Sequence, residues 1–483
     1  MVADNTTTED ATTLPSPEQV ICILKKDAGA KGIYEIFSLE QTEQDGKPFF
    51  ELRRSSHAIS KEDNSENTKA LQDLVDNFYI AGPPAHLQPD PQHCIHVLVS
   101  VRSGTGLSLQ FYENVVAPIL EALGLTASSA DGAGQGSYHL VVTQDAHSVK
   151  SFSKYLAARG RVETGFEHTV VLLSGDGGVI DILNGYASDI PDPASSASSP
   201  PLIAILPLGT GNALFNSLHK KVQTPPASSD LVQGLRTLLR GTAAPLPSFK
   251  VAFPPGSRTI EYSEKESPGA TDASSNDNKA AEAGLAEKTQ YVRHLYGVVV
   301  ASYGFHSQLV WESDTPEYRQ HGAKRFHMVA EQLLKESHAY NATVEITQSP
   351  SSSGESVVRK KLDREKHAYI LATTVSNLEK TFCISPASEP LDGRLRLVHF
   401  GPASGEETMA IMMAAYDGGK HVSMDGVGYE EMDQIRITTH EEDARWRKVC
   451  IDGTIVEIPA GGCMVVEKEA KRHLKVLVDG STV

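Results

Sequence analysis

The residues best suited to chemistry lie in a short stretch in which one carboxylate stands among glycines, Ser174-Gly175-Asp176-Gly177-Gly178, directly after the apolar run VVLL. Glycines let the backbone approach a ligand closely, so that main-chain N–H groups can hold phosphate oxygens. A carboxylate beside such a phosphate site is costly unless it meets a cation or a donor proton. Asp176 could therefore help to hold Mg²⁺ or accept a proton from an attacking hydroxyl. The alternative is a turn aspartate that caps the next helix.

Two further glycine-rich loops follow apolar runs, SVRSGTG at Ser100–Gly106 and LGTGNAL at Leu208–Leu214. A helix after each loop would add its positive N-terminal end, so the loops together indicate a nucleotide site. The Walker A pattern GxxxxGK[ST] does not occur in the sequence, and no GxGxxG joins a strand to a helix. The loops therefore favour a nucleotide site of a different type.

The elements that must position these loops alternate between strand and helix four times from Cys94 onward. The strand patterns are CIHVLVSV, YHLVVTQ, TVVLLSG and PLIAILPLG. Such alternation predicts a parallel sheet with right-handed crossovers, in which ligands bind beyond the carboxyl ends of the strands. The three glycine-rich loops should therefore meet in one crevice.

The whole chain divides into five segments by composition and pattern. We expect a disordered tail at 1–17, a small β-rich module plus helix at 18–90, and the nucleotide-binding domain at 91–225. Strand patterns dominate 226–483, which predicts a mostly antiparallel β-sandwich domain. A Ser/Ala-rich insert at about 265–290 is predicted to be disordered.

Composition excludes several classes of protein. The 483 residues are 40% hydrophobic and 22% charged, as in globular proteins, and the net charge of −17 argues against a nucleic-acid binder. The five cysteines are scattered without C-x-x-C spacing, which argues against a zinc or redox motif. The sequence shows no signal-peptide pattern and no apolar run of membrane-spanning length. We therefore expect a cytoplasmic protein without a transmembrane segment.

The loops and their flanks, LLSGDGGVIDILNG and AILPLGTGNALFNSL, resemble the diacylglycerol-kinase-type catalytic domain in its sphingosine kinase branch. That branch reads SGDGxxxEVxNG and LPxGSGNA(L/M). Further matches are ASYGFHSQLVWESDTPEYRQHGAKRF, PLDGRLRLVHF and VCIDGTIVE, so the resemblance runs from about Cys94 to the end. It implies a Rossmann-like nucleotide domain followed by a β-rich lipid-binding domain. It also implies transfer of the ATP γ-phosphoryl group, with Mg²⁺, to a lipid hydroxyl during transient contact with a membrane surface.

The resemblance assigns roles residue by residue. Asp176 matches the catalytic aspartate, the base for the lipid hydroxyl. Gln308 and Val310 stand where the branch has two acidic residues, the second of which contacts the polar head of the sphingoid base. The positions assigned to ATP binding are Ser100, Arg102, Thr143, Ser174, Gly175, Gly177, Asp181, Gly209, Thr210, Gly211, Asn212, Arg319, Arg325, Asp452 and Gly453.

Departures from the branch keep alternatives open. The first loop lacks the usual Asn-Pro, Thr454 replaces a glutamate, and the uncharged Val310 cannot pair with an ammonium group. A sphingoid base remains the favoured acceptor, with diacylglycerol or ceramide as alternatives. A catalytically weak lipid or nucleotide sensor is a second hypothesis. A soluble kinase related to NAD kinase is a third, which the GTGNAL and YR…RF matches disfavour. The sequence leaves the oligomeric state and the role of the N-terminal module open.

Overall fold

The computed structural model describes the chain except for a set of short segments. The described residues are 13–26, 32–44, 46–59, 65–101, 104, 106–128, 136–145, 147–162, 165–188, 199–220, 228–264, 285–322, 324–349 and 357–483. They form two compact units, a first unit of Met1–Leu246 with Arg472–Val483 and a second unit of Pro247–Lys471. The sequence pattern predicts the boundary between the two large domains at 225/226, and the two units of the structure divide between Leu246 and Pro247.

The described strands are β1 (Val20–Lys26), β2 (Gly32–Gln44), β3 (Lys47–Ile59), β4 (His93–Val99), β5 (Thr126–Ser128), β6 (Ser137–Val142), β7 (Glu167–Ser174), β8 (Leu202–Pro207), β9 (Thr242–Pro245), β10 (Phe249–Ala252), β11 (Arg258–Glu264), β12 (Leu285–Tyr291), β13 (His294–Gly297), β14 (Val300–Gly304), β15 (Tyr340–Gln348), β16 (Val358–Lys361), β17 (Lys366–His367), β18 (Tyr369–Thr373), β19 (Leu395–Phe400), β20 (Val427–Met432), β21 (Gln434–Thr439), β22 (Lys448–Ile451), β23 (Thr454–Glu457), β24 (Cys463–Lys468) and β25 (Lys475–Val478).

The described α-helices are α1 (Glu66–Phe78), α2 (Ser108–Phe111), α3 (Ala117–Ala122), α4 (Ser148–Val162), α5 (Asp176–Ser188), α6 (Ala213–Leu218), α7 (Asp230–Arg240), α8 (Phe305–Ser313), α9 (Pro316–Arg319), α10 (Lys324–Glu336) and α11 (Gly405–Tyr416). A π-helical segment at Tyr112–Val116 joins α2 to α3. Short 3₁₀ helices occur at Ala85–Leu87, Lys420–Ser423, Ala444–Arg447 and Gly480–Thr482. None of the helices described is long and apolar enough to cross a membrane.

A parallel sheet forms the centre of the first unit, as the strand–helix alternation predicted. Its order is β5-β6-β4-β7-β8-β25-β9. The strands β4 to β8 run parallel, and the last strand of the chain, β25, returns to pair parallel with β8 and antiparallel with β9. Every residue of β4 and β8 is buried, because strands of a parallel sheet are covered on both faces.

The N-terminal module is built into the first unit. Its antiparallel sheet, β1-β2-β3, contributes Phe37 and Phe50 to the same apolar core as the helix that follows the first glycine-rich loop. The rings of Phe50 and Phe111 meet edge to face at 5.4 Å. Arg236 of α7 donates to the main-chain oxygens of Pro17 and Val20, at 2.5 and 2.8 Å. Removing the module would therefore open the core of the unit.

Antiparallel sheets dominate the second unit, which confirms the predicted β-rich domain. One sheet has the order β13-β10-β24-β21-β15-β16, with β17 also paired to β15. The other has the order β12-β11-β23-β22-β14-β18-β19-β20. Side chains from both sheets, among them Phe249, Tyr303 and Ile437, share one apolar core. The helices α8, α9 and α10 lie between β14 and β15 in the chain.

Some of the sequence expectations fall outside the described residues. The tail at 1–17 is described only from residue 13, and the insert at about 265–290 only from residue 285. Residues Leu285–Tyr291 form β12, which pairs with β11. Arg102 in the first glycine-rich loop also lies outside the described part of the chain.

Candidate active site

The three glycine-rich loops lie at the carboxyl ends of β4, β7 and β8 and enclose a cavity of about 320 Å³, here called the cleft. It lies entirely within the first unit. The cleft is lined by Ser100, Gly104, Val149, Ser174, Gly175, Asp176, Gly177, Gly178, Asp181, Gly209, Thr210, Gly211 and Asn212. Most of the site residues assigned in this part of the sequence therefore line one cavity.

Glycines let the three loops touch one another. A Cβ added to Gly175 would lie 2.7 Å from the Cα of Gly209, and one added to Gly104 would lie 2.6 Å from the same atom. Real Cβ atoms do not approach other backbone atoms this closely, since carbon–carbon contacts are optimal near 3.5–4.0 Å. Gly104 also has a positive φ of 57°. In contrast, a Cβ on Gly177 would meet no atom within 4 Å.

Asp176 is the first residue of α5, but its carboxylate contacts the start of another helix. Oδ2 accepts a hydrogen bond from the N–H of Ala213 at 2.7 Å, and Oδ1 accepts one from the N–H of Leu214 at 3.0 Å. These are the first two residues of α6, whose amides would otherwise lack an intrahelical partner. The carboxylate therefore joins the second glycine-rich loop to the third across 37 residues of sequence.

The surroundings of Asp176 change its acidity in two opposite directions. Burial raises the pKa of the carboxyl, because removal from water disfavours the charged form. The two N–H donors oppose this change, since they stabilise the carboxylate, but the pKa still lies above its usual range. A raised pKa moves the group toward the range in which carboxylates act as general bases near neutral pH.

Asn212 precedes α6 in the left-handed backbone conformation, with φ of 50°. Its Oδ1 accepts a hydrogen bond from the N–H of Gly209 at 3.0 Å. Its Nδ2 donates to the main-chain oxygens of Gly209 and Pro207, at 3.0 and 3.4 Å. The side chain thus closes the loop between β8 and α6 onto itself. Asparagine is one of the few residues other than glycine that adopt this conformation readily.

Thr143 does not line the cleft but supports it. The side chain is buried, and its Oγ1 accepts a hydrogen bond from the N–H of Val101 at 3.1 Å. Its own N–H donates to the main-chain oxygen of Val99 at 3.0 Å. Thr143 therefore fixes the first glycine-rich loop to the end of β6.

Arg319 and Arg325, assigned to ATP by the resemblance, lie in the second unit and share one carboxylate. Arg319 donates to both oxygens of Asp314, at 3.1 and 2.7 Å, and to the main-chain oxygen of Tyr262 at 3.1 Å. A guanidinium nitrogen of Arg325 lies 3.6 Å from Asp314. Two guanidinium groups beside one carboxylate leave an excess of positive charge, which suits an anionic ligand.

The two positions assigned to the lipid head group are also in the second unit, on α8. Gln308 is fully buried, and its side-chain Nε2 donates a hydrogen bond to Oε1 of Glu312 at 2.7 Å. Val310 packs against an apolar cluster that includes Ile260. Glu312 is itself paired with Arg445, at 2.9 Å.

Asp452 and Gly453 form the two-residue turn between β22 and β23. Both have positive φ, 47° and 89°, as a type I′ hairpin turn requires. The Asp452 carboxylate accepts hydrogen bonds from the main-chain N–H groups of Val298, Val299 and Val300. Within the second unit, the Asp452 carboxylate therefore holds the main chain of these three residues in place.

Sequence reasoning missed some residues of the cleft. Gly104 and Gly178 lie within the quoted glycine-rich loops, so their spacing could have indicated them. Val149 on α4 gives no chemical signal in the sequence. The amides of Ala213 and Leu214 could not be found from residue types, because they act through the backbone.

Comparison with known proteins gives one family match. Residues 95–244, which include all three glycine-rich loops, match the family described as "Diacylglycerol kinase catalytic domain". This match supports kinase activity for the protein. No curated protein sequence matches the chain.

Solved structures with similar folds include two from Bacillus anthracis str. Sterne. A putative diacylglycerol kinase is 14% identical, with a TM-score of 0.47, and covers 82% of this chain and 100% of its own. A second, described as a diacylglycerol kinase, is 10% identical, with a TM-score of 0.43 and the same coverage.

Proposed function

Because residues 95–244 match the diacylglycerol kinase catalytic domain, we propose that the protein is an ATP-dependent kinase that phosphorylates a lipid hydroxyl. The observation that carries the proposal is the cleft, in which three glycine-rich loops surround a carboxylate whose pKa is raised by burial. This combination provides both a phosphate site and a proton acceptor.

The ATP phosphates would lie against the loops of the cleft. The first turn of α5 faces open space at Gly177, and its N-terminal end favours negative charge. Among the described residues, the N–H groups of Thr210 and Gly211 have no main-chain acceptor, so they can donate to a phosphate oxygen. The Thr210 hydroxyl adds a further donor at the same edge.

The donor set fits Mg²⁺ that arrives with the nucleotide. The carboxylate of Asp181 lines the cleft, and the described residues contain no group of three potential metal ligands. Mg²⁺ commonly uses one or two carboxylates and takes its other ligands from substrate phosphates and water. Asp181 would therefore hold the ion together with the phosphates. The bound ion would neutralise charge on the phosphoryl oxygens.

Asp176 would act as the general base. The lipid hydroxyl oxygen attacks the γ-phosphorus, its proton passes to the Asp176 carboxylate, and the bond from the γ-phosphorus to the bridging oxygen breaks to release ADP. Each carboxylate oxygen accepts only one N–H hydrogen bond and has two lone pairs. Each oxygen therefore keeps one lone pair that can accept the proton of the lipid hydroxyl.

Contacts in the second unit support a neutral lipid alcohol, of the diacylglycerol or ceramide class, over the sphingoid base that the resemblance favoured. An ammonium head group needs a carboxylate. Among the described residues of this segment, Glu312 pairs with Arg445 and Asp314 pairs with Arg319. Gln308 is buried and Val310 is apolar.

The test measures phosphoryl transfer from labelled ATP, in the presence of Mg²⁺, to four acceptors. Diacylglycerol, ceramide and sphingosine are presented in detergent micelles, and NAD⁺ is added in solution. The variant is Asp176→Asn, and Asp73→Asn on the exposed face of α1 is the matched control. We expect a neutral lipid product that falls by about 10²–10⁴-fold in Asp176→Asn and stays unchanged in the control. Product on sphingosine alone would contradict the acceptor class. ATP binding without any product would contradict the kinase and favour a sensor.

A further inference from the structure

The geometry around α6 points to a second residue behind the reactive carboxylate: we infer that Asn212 is a positioning residue that holds the first turn of α6 against Asp176. The kinetic part of this inference rests on the proposed function. The resemblance assigned Asn212 to ATP binding, so the inference gives the residue a different task.

The side chain of Asn212 is fully engaged with its own loop. Both its acceptor oxygen and its donor nitrogen bond to Gly209, at 3.0 Å each, and the nitrogen also reaches Pro207. None of these bonds caps α6. The amide group therefore bridges the end of β8 to the residue that immediately precedes α6.

This bridge fixes the direction in which α6 begins. The left-handed backbone at Asn212 is followed at once by Ala213 and Leu214, whose N–H groups bond to the Asp176 carboxylate. If the bridge opened, the loop would be free to rotate about this residue, and the two N–H groups would move away from the carboxylate.

The contact between loops makes the arrangement sensitive to small movements. Gly209, which both ends of the Asn212 amide hold, is also the residue whose Cα touches Gly175, directly before Asp176. Asn212 thus influences the position of Asp176 in two ways. It orients the α6 amides that bond to the carboxylate, and it holds Gly209 against Gly175, the residue before Asp176. A general base must be held closely in place, because a displacement of about 1 Å can cost about 10²-fold in rate.

The first experiment compares kcat, KM and the dissociation constant for ATP in the full-length protein and in Asn212→Ala and Asn212→Gly. Glycine adopts the left-handed backbone conformation readily but lacks the side-chain hydrogen bonds of the bridge. Asn212→Gly therefore separates the effect of the backbone conformation from the effect of the bridge. Asn77→Ala is the matched control, since it removes one side-chain bond to a main-chain oxygen on α1 of the same unit.

We expect kcat to fall by about 10²-fold in both Asn212 variants, with ATP affinity close to that of the wild type and with no change in Asn77→Ala. Wild-type kcat in Asn212→Gly would overturn the inference, because the backbone conformation would then suffice. A loss of ATP affinity as large as the loss of kcat would overturn it too, since it would indicate a direct nucleotide contact.

A second experiment decides the inference even if the protein shows no kinase activity. Urea unfolding is measured for the wild type, Asp176→Asn, Asn212→Gly and the double variant. If Asn212 holds α6 against Asp176, the double variant loses less stability than the two single variants together. Additive losses would overturn the inference while leaving the proposed function untouched. Absence of product on every acceptor would instead overturn the proposed function alone.

Discussion

The contact between the loops of the cleft makes a sharp prediction for two glycines that are only two residues apart. In Gly175→Ala the new methyl group would lie 2.7 Å from the Cα of Gly209. In Gly177→Ala the methyl group would meet no atom within 4 Å. Neither glycine has a positive φ, so alanine is compatible with both backbone conformations. The two substitutions therefore differ mainly in the space available.

The expected magnitudes follow from these distances. An ordinary carbon–carbon contact needs about 3.5–4.0 Å, so Gly175→Ala forces the two loops apart by about 1 Å. Overpacking of this kind costs about 1–3 kcal/mol of unfolding free energy. Gly177→Ala lies in the first turn of α5 and should instead stabilise the protein by about 0.5–1 kcal/mol, because alanine loses less backbone entropy than glycine.

Equilibrium urea unfolding, monitored by far-ultraviolet circular dichroism, measures both effects. We expect the midpoint of Gly175→Ala to fall and that of Gly177→Ala to rise, with an unchanged dependence on urea concentration. Steady-state kinetics add a second readout, since the separation of the loops in Gly175→Ala should lower kcat by about 10²-fold.

Equal midpoints for the two variants would refute the reasoning, because the Gly175–Gly209 contact would then not limit the approach of the loops. A destabilised Gly175→Ala with wild-type kcat would refute only the link between loop spacing and catalysis.

Three further predictions concern other parts of the molecule. Arg236→Ala should release the segment from Pro17 to Val20, so that limited proteolysis cleaves the N-terminal module faster than in the wild type. Asp452→Ala should lower the unfolding free energy by about 1–3 kcal/mol or more, because three main-chain N–H groups lose their acceptor; urea unfolding of Asp452→Ala measures it. Burial lowers the pKa of His168 from 6.5 to about 4, so the unfolded chain binds the proton first and stability should be lost as pH falls from 6.5 toward 4. Urea unfolding at a series of pH values measures this effect, and the unfolding free energy of His168→Leu should fall less steeply over this pH range than that of the wild type.

The sequence was sufficient for the parts of the fold that depend on local pattern. Continuous apolar runs predicted the buried strands β4 and β8, and alternation with helices predicted the parallel sheet. The glycine spacing placed the loops at strand ends, where they line one cleft. The resemblance assigns Asp452 and Gly453 to ATP binding, although an Asp-Gly dipeptide by itself predicts a hairpin turn.

Only the tertiary structure decided how distant segments combine. The sequence indicated Asp176 as a base, a metal ligand or the cap of its own helix, whereas its carboxylate binds the amides of Ala213 and Leu214. It gave no sign that β25 returns to the sheet beside β8 or that Phe50 enters the core of the first unit. The physical reason is that periodicity and turn propensity act over a few residues. Hydrogen bonds and packing between segments far apart in the chain depend on where the folded backbone brings them.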